Sequence, residues 1–224
     1  EHLVADNEHA TVILPTTGTT PLDDWTATLE TYGLKVSTGP VVAFRARDYL
    51  HVQSTSDTVP LLWLQHIGQQ QVRWPVKKKL EHVRATAETA WMFVSNAPMV
   101  LVRRFSPKED LRRITCAPYE GQLPGAVLGL ENHLNYIHRP NGRMSVDEVR
   151  GLSALLASSI IDRHFRAVAG STQINATELR MLRLPSMSVI EAIGRKLPAH
   201  PTLSAIDLTV ESELRLSDNI RKAA

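Results

Sequence analysis

The spacing of apolar positions changes along the chain, and each spacing assigns an element. Ala10–Pro15 (ATVILP) is a short continuous apolar run and predicts a strand, with a turn over residues 16–20 behind it. Pro21–Tyr32 places Trp25, Leu29 and Tyr32 on one side of a predicted helix, with Gly33 as its stop. Leu34–Thr38 reads as extended, and Gly39-Pro40 punctuates it. Between Val59 and Val127 the apolar runs are short: Pro60–Leu64, Trp91–Val94 and Met99–Val102. Each is bounded by Pro, Gly, Asn or charge, which is the pattern of β structure. Lys77-Lys78-Lys79 falls between two of these runs and predicts a loop or a strand end.

In the last third the period lengthens. Ser145-Val-Asp-Glu148 is a capping-box pattern, in which the serine oxygen accepts the N–H of Glu148 and Glu148 reaches back to the N–H of Ser145. Behind it Val149, Leu152, Leu156, Ile160 and Phe165 recur at helical spacing, and Gly170 closes the run. A second helix start stands at Asn175-Ala-Thr-Glu178, with Leu179 and Leu182 behind it and Pro185 as the stop. A third helix is predicted from near Ser188 to Lys196. The expected fold class is therefore α+β, with a β-rich middle region and a helical C-terminal third. The expected boundary falls near Thr58, dividing an N-terminal segment, 1–58, from a domain over 59–224.

Composition narrows the class. The 224 residues are 43% hydrophobic and 21% charged, as in ordinary globular proteins. No apolar run approaches the ~18–20 residues that span a bilayer, and no signal-peptide pattern is seen. Cys116 is the single cysteine, so no internal disulfide is possible, and a reducing cytoplasm fits. The net charge of +2 says little, but its distribution says more. Residues 1–60 carry three basic and eight acidic side chains, whereas residues 72–113 carry ten basic and four acidic. Such a block suits either a polyanion-binding surface or a solvated positive face.

Several chemistries lack their motifs. There is no GxGxxG, no GxxxxGK[ST], no CxxC and no HExxH, and the nine histidines show no ligand spacing. Cys116 follows Arg112, Arg113 and Thr115, a setting in which positive charge would lower a thiol pKa, but no base or pocket can be assigned to it. Asp110, Glu120 and Glu131 are scattered, with no PD…(D/E)xK pattern, which speaks against a nuclease.

Three clusters suit nucleic acid. Arg103, Arg104, Lys108, Arg112 and Arg113 lie close together, and arginine can neutralise phosphate or grip the O6/N7 edge of guanine. The alternative is a solvated strand pair, with Lys108 and Arg112 paired to Glu109 and Asp110. Asn132, His133 and Asn135 offer groups for the N6/N7 edge of adenine, or else fix a loop through backbone bonds. Gln173 and Asn175 sit in a polar loop entering a helix; Asn175 is also a natural cap, which leaves Gln173 the better contact candidate.

Taken in order, these clusters resemble one family. Val36-Ser-Thr-Gly-Pro-Val-Val-Ala-Phe-Arg45 is similar to its STG-x-VV-x-FR element. Val102-Arg-Arg-Phe-Ser-Pro-Lys-Glu109, followed by Arg112-Arg-Ile114, is similar to its (V)-(K/R)-R-F-(S)-x-K-E element. Gly129-Leu-Glu-Asn-His-Leu-Asn135 is similar to its G-(F)-ENHLN element. Gly170-Ser-Thr-Gln-Ile-Asn-Ala-Thr-Glu-Leu-Arg180, with Leu184-Pro-Ser186, is similar to its G-(H)-TQ-(V)-NATDLR…(Y)PS element. The family is the adenine-N6-specific DNA methyltransferases of type II restriction–modification systems, of the PstI/BsuBI kind. Ala43, Leu130 and Ser171 depart from its usual residues, within frames that are otherwise intact.

The resemblance implies a C-terminal target-recognition region that holds duplex DNA, in a bacterial cytoplasm. Catalysis is implied for a part that precedes the STG element. That part would bind S-adenosylmethionine and carry an Asn/Asp-Pro-Pro-aromatic motif; Asn96-Ala-Pro is the nearest approach here and does not qualify. The chain alone is thus expected to methylate nothing. Candidate contacts under the resemblance are Arg45, Arg103, Arg104, Lys108, Arg112, Arg113, Asn132, His133, Asn135, Gln173 and Asn175. Ser37 and Thr38 either bond backbone phosphate or sit at the junction with the catalytic domain. A competing reading is a protein-interaction module whose basic block binds an acidic partner; a salt titration separates the two.

Overall fold

The computed structural model describes residues 2–7, 10–15, 21–76, 80–107, 109–168 and 173–223. The predicted turn over 16–20, the Lys77-Lys78-Lys79 run, Lys108 and the predicted stop at Gly170 lie outside the described residues. β1 (His2–Asn7) pairs antiparallel with β2 (Ala10–Pro15), so the ATVILP run is a strand. The expected helix over Pro21–Tyr32 is instead two short 3-10 turns, Pro21–Asp24 and Glu30–Tyr32. Ala27 between them is drawn into a β-bridge with Leu184, and tertiary pairing overrides the local apolar spacing. Gly33 does stop the segment, in the left-handed conformation at φ 65°.

The middle of the chain is built from short strands, as its apolar runs require. They are β3 (Lys35–Thr38), β4 (Leu50–His51), β5 (Thr58–Leu62), β6 (Ile67–Gly68), β7 (Gln71–Val72) and β8 (His82–Arg84). β9 (Phe93–Ser95), β10 (Met99–Arg103), β11 (Cys116–Tyr119), β12 (Val127–Leu130) and β13 (Leu134–His138) follow. Four strands make an antiparallel sheet in the order β11–β10–β13–β3. Five make a mixed sheet, β4–β8–β5–β12–β9, in which β5 and β12 run parallel. β3 lies before residue 58, and its ladder to β13 carries hydrogen bonds across the expected boundary.

Five helices follow: α1 (Val146–Ala157), α2 (Ser159–Val168), α3 (Ala176–Met181), α4 (Met187–Lys196) and α5 (Leu203–Ala223). The fold is α+β, with strands in the middle and helices toward the C-terminus. The capping box forms: Ser145 Oγ accepts the Glu148 N–H at 3.1 Å, and Glu148 Oε2 accepts the Ser145 N–H at 2.5 Å. The single long helix expected behind it is broken at Ser158, which is extended at φ −70°, ψ 157°. Asp207 of α5 takes the Ser159 N–H at 2.7 Å, giving the break a partner from elsewhere in the chain. Among the described residues no helix is long and apolar enough to cross a membrane.

Strand alternation explains the layering. On β10, Val100 and Val102 join the largest core with the helices, while Met99 and Leu101 join a second core with Leu128 and Leu130 of the five-stranded sheet. The four-stranded sheet is therefore buried on both faces, between helices and the other sheet. Each fully buried Leu or Val contributes about 1.5–3 kcal/mol of transfer free energy. α1 and α4 approach through glycine. A Cβ on Gly151 would lie 1.8 Å from the Ile190 carbonyl oxygen, and one on Gly194 would lie 2.1 Å from that of Asp147.

Candidate nucleic-acid interface

Four segments far apart in sequence meet at the end of β13 where it turns back to β12. The first is the stretch after β3. Val41 bridges Glu131; its N–H donates to the Leu130 carbonyl, and its own carbonyl accepts from Asn132, each at 2.9 Å. Gly39 lies so close that a Cβ there would stand 2.3 Å from the Glu131 carbonyl oxygen, so only glycine fits. The second is the Arg103–Phe105 end of β10. The Arg104 N–H donates to the His133 carbonyl at 2.9 Å, and its guanidinium donates to the Asn132 carbonyl at 2.6 Å. The third is the Glu131–Asn135 turn itself. The fourth is Gln173–Asn175: Gln173 bridges Phe105, and the Ile174 N–H donates to the Arg104 carbonyl at 2.7 Å.

Within this junction some side chains face inward. Asn135 is fully buried; its Oδ1 accepts from the Thr38 hydroxyl at 2.9 Å and its amide donates to the Ile174 carbonyl at 3.2 Å. It fixes the junction, the second of the two roles the sequence allowed. Ser37 and Thr38 are likewise engaged with protein: Ser37 Oγ lies 3.1 Å from His138 Nε2. Asn175 stands exposed before α3, with its N–H held by Glu178 at 2.8 Å.

Others face outward. Phe105 is 41% exposed, with the His133 ring edge-on at 5.2 Å and the Arg104 guanidinium 5.9 Å from its centroid. The His133 side chain is half exposed, although its Nδ1 lies 2.6 Å from the buried Glu131 carboxylate. That carboxylate also accepts the His133 N–H at 3.0 Å, which fixes the ring from two sides. With Nδ1 facing Glu131, Nε2 is the ring nitrogen left for another partner. Asn132 and Gln173 are half-buried. At the tip of the turn after Val41, Phe44 is 76% exposed, with the exposed Arg45 stacked at 5.4 Å from its ring.

The remaining arginines of the basic block tie the protein together. Arg103 donates to the Ile67 carbonyl at 2.6 Å, and burial pushes its guanidinium below the usual arginine value, with Asp110 opposing. Arg112 reaches Asp207 at 2.5 Å and the Ala157 carbonyl at 3.1 Å, not the Asp110 or Glu109 expected beside it. Arg113 is 2% exposed and donates to the Ser106 carbonyl at 2.8 Å, while its backbone N–H is taken by Asp162. The structure thus places the Arg112 side chain against α1 and α5 and buries that of Arg113 on the Ser106 carbonyl, although both were expected as phosphate or guanine contacts.

The other chemistries considered find separate places. Cys116 is fully buried beside Ser153 and Gln70, and burial pushes its thiol up to about 12, opposite to the lowering expected from nearby arginines. Asp110 bonds Ser106, Glu120 pairs with Arg150 and Glu131 with His133, so the three carboxylates do not converge. Among the described residues no three His, Cys, Asp or Glu side chains are grouped to hold a metal ion. Phe44 and Phe105 were not among the residues expected from the sequence to form the site, and Glu131 was weighed only as a nuclease carboxylate. The aromatic residues lie beside arginines in their motifs, which was a usable signal, whereas the burial of Glu131 is a tertiary fact.

No protein-family model matches the chain. The type II methyltransferase M.PstI of Providencia stuartii is 36% identical over 171 residues, which is 75% of this chain and 34% of that protein. The type II methyltransferase M.BsuBI of Bacillus subtilis is 35% identical over 170 residues, again 75% of this chain and 34% of that protein. The chain is therefore homologous to type II methyltransferases over three quarters of its own length, and it spans about a third of theirs.

Proposed function

We propose that this chain is the DNA target-reading part of an adenine-N6-specific DNA methyltransferase of a type II restriction–modification system. The observation that carries the reading is the junction. Four segments between residues 39 and 175 meet there and leave Phe105, His133 and the edge of Arg104 at the surface, with Phe44 and Arg45 exposed on the turn after Val41. Cations beside aromatic rings, with amides from Asn132 and Gln173 nearby, suit phosphate and base edges together. Homology to two type II methyltransferases supports the same direction. Residues 1–58 would form the junction with a catalytic domain on the same polypeptide, lending β3 to the reading part over 59–224.

S-adenosylmethionine would be held by that catalytic domain. The described residues do not fit it. The parallel pair β5 and β12 continues into a 3-10 turn at Leu64–His66 and into β13, with no helix N-terminus to receive the cofactor.

The division of labour among candidates follows exposure. Arg45 and Arg104 would meet phosphate or guanine, and His133, Asn132 and Gln173 would meet base edges. Arg103, Arg112, Arg113, Asn135 and Asn175 would support the surface or bind at its margins, and Lys108 would add a further positive charge. The test is methylation by the full-length enzyme carrying Arg45→Ala or Gln173→Ala. A lost base contact would cost about 1–3 kcal/mol of discrimination, and a lost phosphate contact would reduce the salt slope of binding by about one. Unchanged KM, site preference and salt slope in both variants would refute the assignment.

A further inference from the structure

A concave site lies away from the junction, between the edge strand β9 of the five-stranded sheet and β13 of the four-stranded sheet. It is a cleft of about 640 Å³, walled by β9 on one side, by the Tyr136 and His138 face of β13 on another, and by the loop Arg139–Arg143 leading to α1. We propose that this cleft binds a nucleotide, a planar base carrying a phosphate.

Three observations converge on that ligand class. The volume lies within the range of small-molecule sites and exceeds what one nucleotide fills. Tyr136 and His138, two residues apart on β13, stack with centroids 4.7 Å apart at 29°, a pair lining the cleft whose stack a planar base would extend, with half-buried Phe93 adding apolar surface. The lining carries His138, Arg139 and Arg143 and no carboxylate.

The charged members have distinct roles. Arg139 is already neutralised: Glu148 takes its guanidinium at 2.6 and 3.1 Å, and the Arg143 carbonyl takes it at 2.9 Å. Arg143 is exposed and pairs with no carboxylate among the described residues, so the phosphate falls to it. His138 is held below its ordinary pKa by burial and then by Lys35, and its Nε2 lies 3.1 Å from Ser37 Oγ. It serves as a neutral stacking ring. Base stacking on such walls tolerates any base, whereas the phosphate requires Arg143.

The same chemistry is offered by a free mononucleotide and by an unpaired nucleotide projecting from DNA. The experiment titrates the whole chain with deoxyadenosine monophosphate while backbone amide shifts are followed by NMR. Inorganic phosphate, deoxyadenosine, and duplexes with and without one unpaired adenosine are the comparison probes. Shifts should centre on Phe93, Tyr136 and His138, and Arg143→Ala should weaken binding about tenfold. Competition from the bulged duplex, and not from the paired one, identifies DNA as the source; its absence identifies the free nucleotide. A silent cleft at about 10 mM nucleotide, with neither duplex perturbing it, overturns the inference. So does binding that survives both Arg143→Ala and His138→Ala. Paired-duplex affinity in the same samples reports on DNA reading separately, so either idea can fail alone.

Discussion

His133 Nδ1 stands 2.6 Å from Oε1 of Glu131, a carboxylate whose residue is only 1% exposed. Burying a carboxylate is costly, and its second oxygen is taken by the N–H of the same histidine. The pair holds an exposed ring rigidly at the meeting point of four segments. Glu131→Ala would leave two N–H groups without their acceptor and should lower stability by about 1–3 kcal/mol in urea unfolding. It should also weaken duplex binding. Wild-type stability in the variant would show that the pair contributes nothing to the junction.

The close approach of α1 and α4 gives a sharper stability test. Gly151→Ala would set a methyl group against the Ile190 carbonyl at 1.8 Å, a clash with backbone that rotamer changes cannot relieve. The helices must part, and the loss should reach about 3 kcal/mol or more, read as a lowered thermal midpoint. An alanine on the exposed face of α5, such as Leu208→Ala, should change it little.

His66 makes stability depend on pH. It is fully buried; its Nδ1 accepts the Trp63 N–H at 2.8 Å and its Nε2 lies 2.7 Å from Glu81. A proton on Nδ1 would face another donor. Burial holds this imidazole below its ordinary value of 6.5, with Glu81 opposing. The unfolded chain therefore binds a proton that the folded chain refuses, and stability falls as pH drops below that value until the folded ring titrates. The urea midpoint should be lower at about pH 5.5 than at about pH 7.5. His66→Asn, which keeps an acceptor for the Trp63 N–H, should flatten the difference. An equal pH dependence in that variant would assign it elsewhere.

Cys116 should be inert in the folded protein. Its thiol is fully buried and pushed up to about 12, chiefly by desolvation. A thiol-reactive dye at about pH 8 should label it only in denaturant. Rapid labelling of the native chain would contradict the packing around Ser153 and Gln70.

Local chemistry was legible in the sequence, and tertiary competition was not. The Ser145 and Glu148 capping box needs only residues three apart, and it forms as written. β10 follows from the apolar run Met99–Val102, whereas β13 lies beyond the stretch predicted as β and was not anticipated. The Pro21–Tyr32 helix failed because Ala27 pairs with Leu184, and the long helix failed because Asp207 captures the Ser159 N–H. α5 lies beyond the last predicted helix, which stops at Lys196, although Leu203, Ile206, Val210 and Leu214 hold helical spacing. For the site, motifs located the four segments but not the direction of each side chain. Arg112 and Arg113 adjoin exposed positions in sequence, yet Asp207 and Ser106 bind them.

The central claim is that the junction surface holds duplex DNA. Fluorescence titration of this chain with a random-sequence duplex at about 50 and 200 mM salt tests it directly. Binding at low salt that weakens steeply at high salt, and weakens further with Arg45→Ala, is the predicted result. No binding at low salt, or an affinity indifferent to both salt and Arg45, would contradict it.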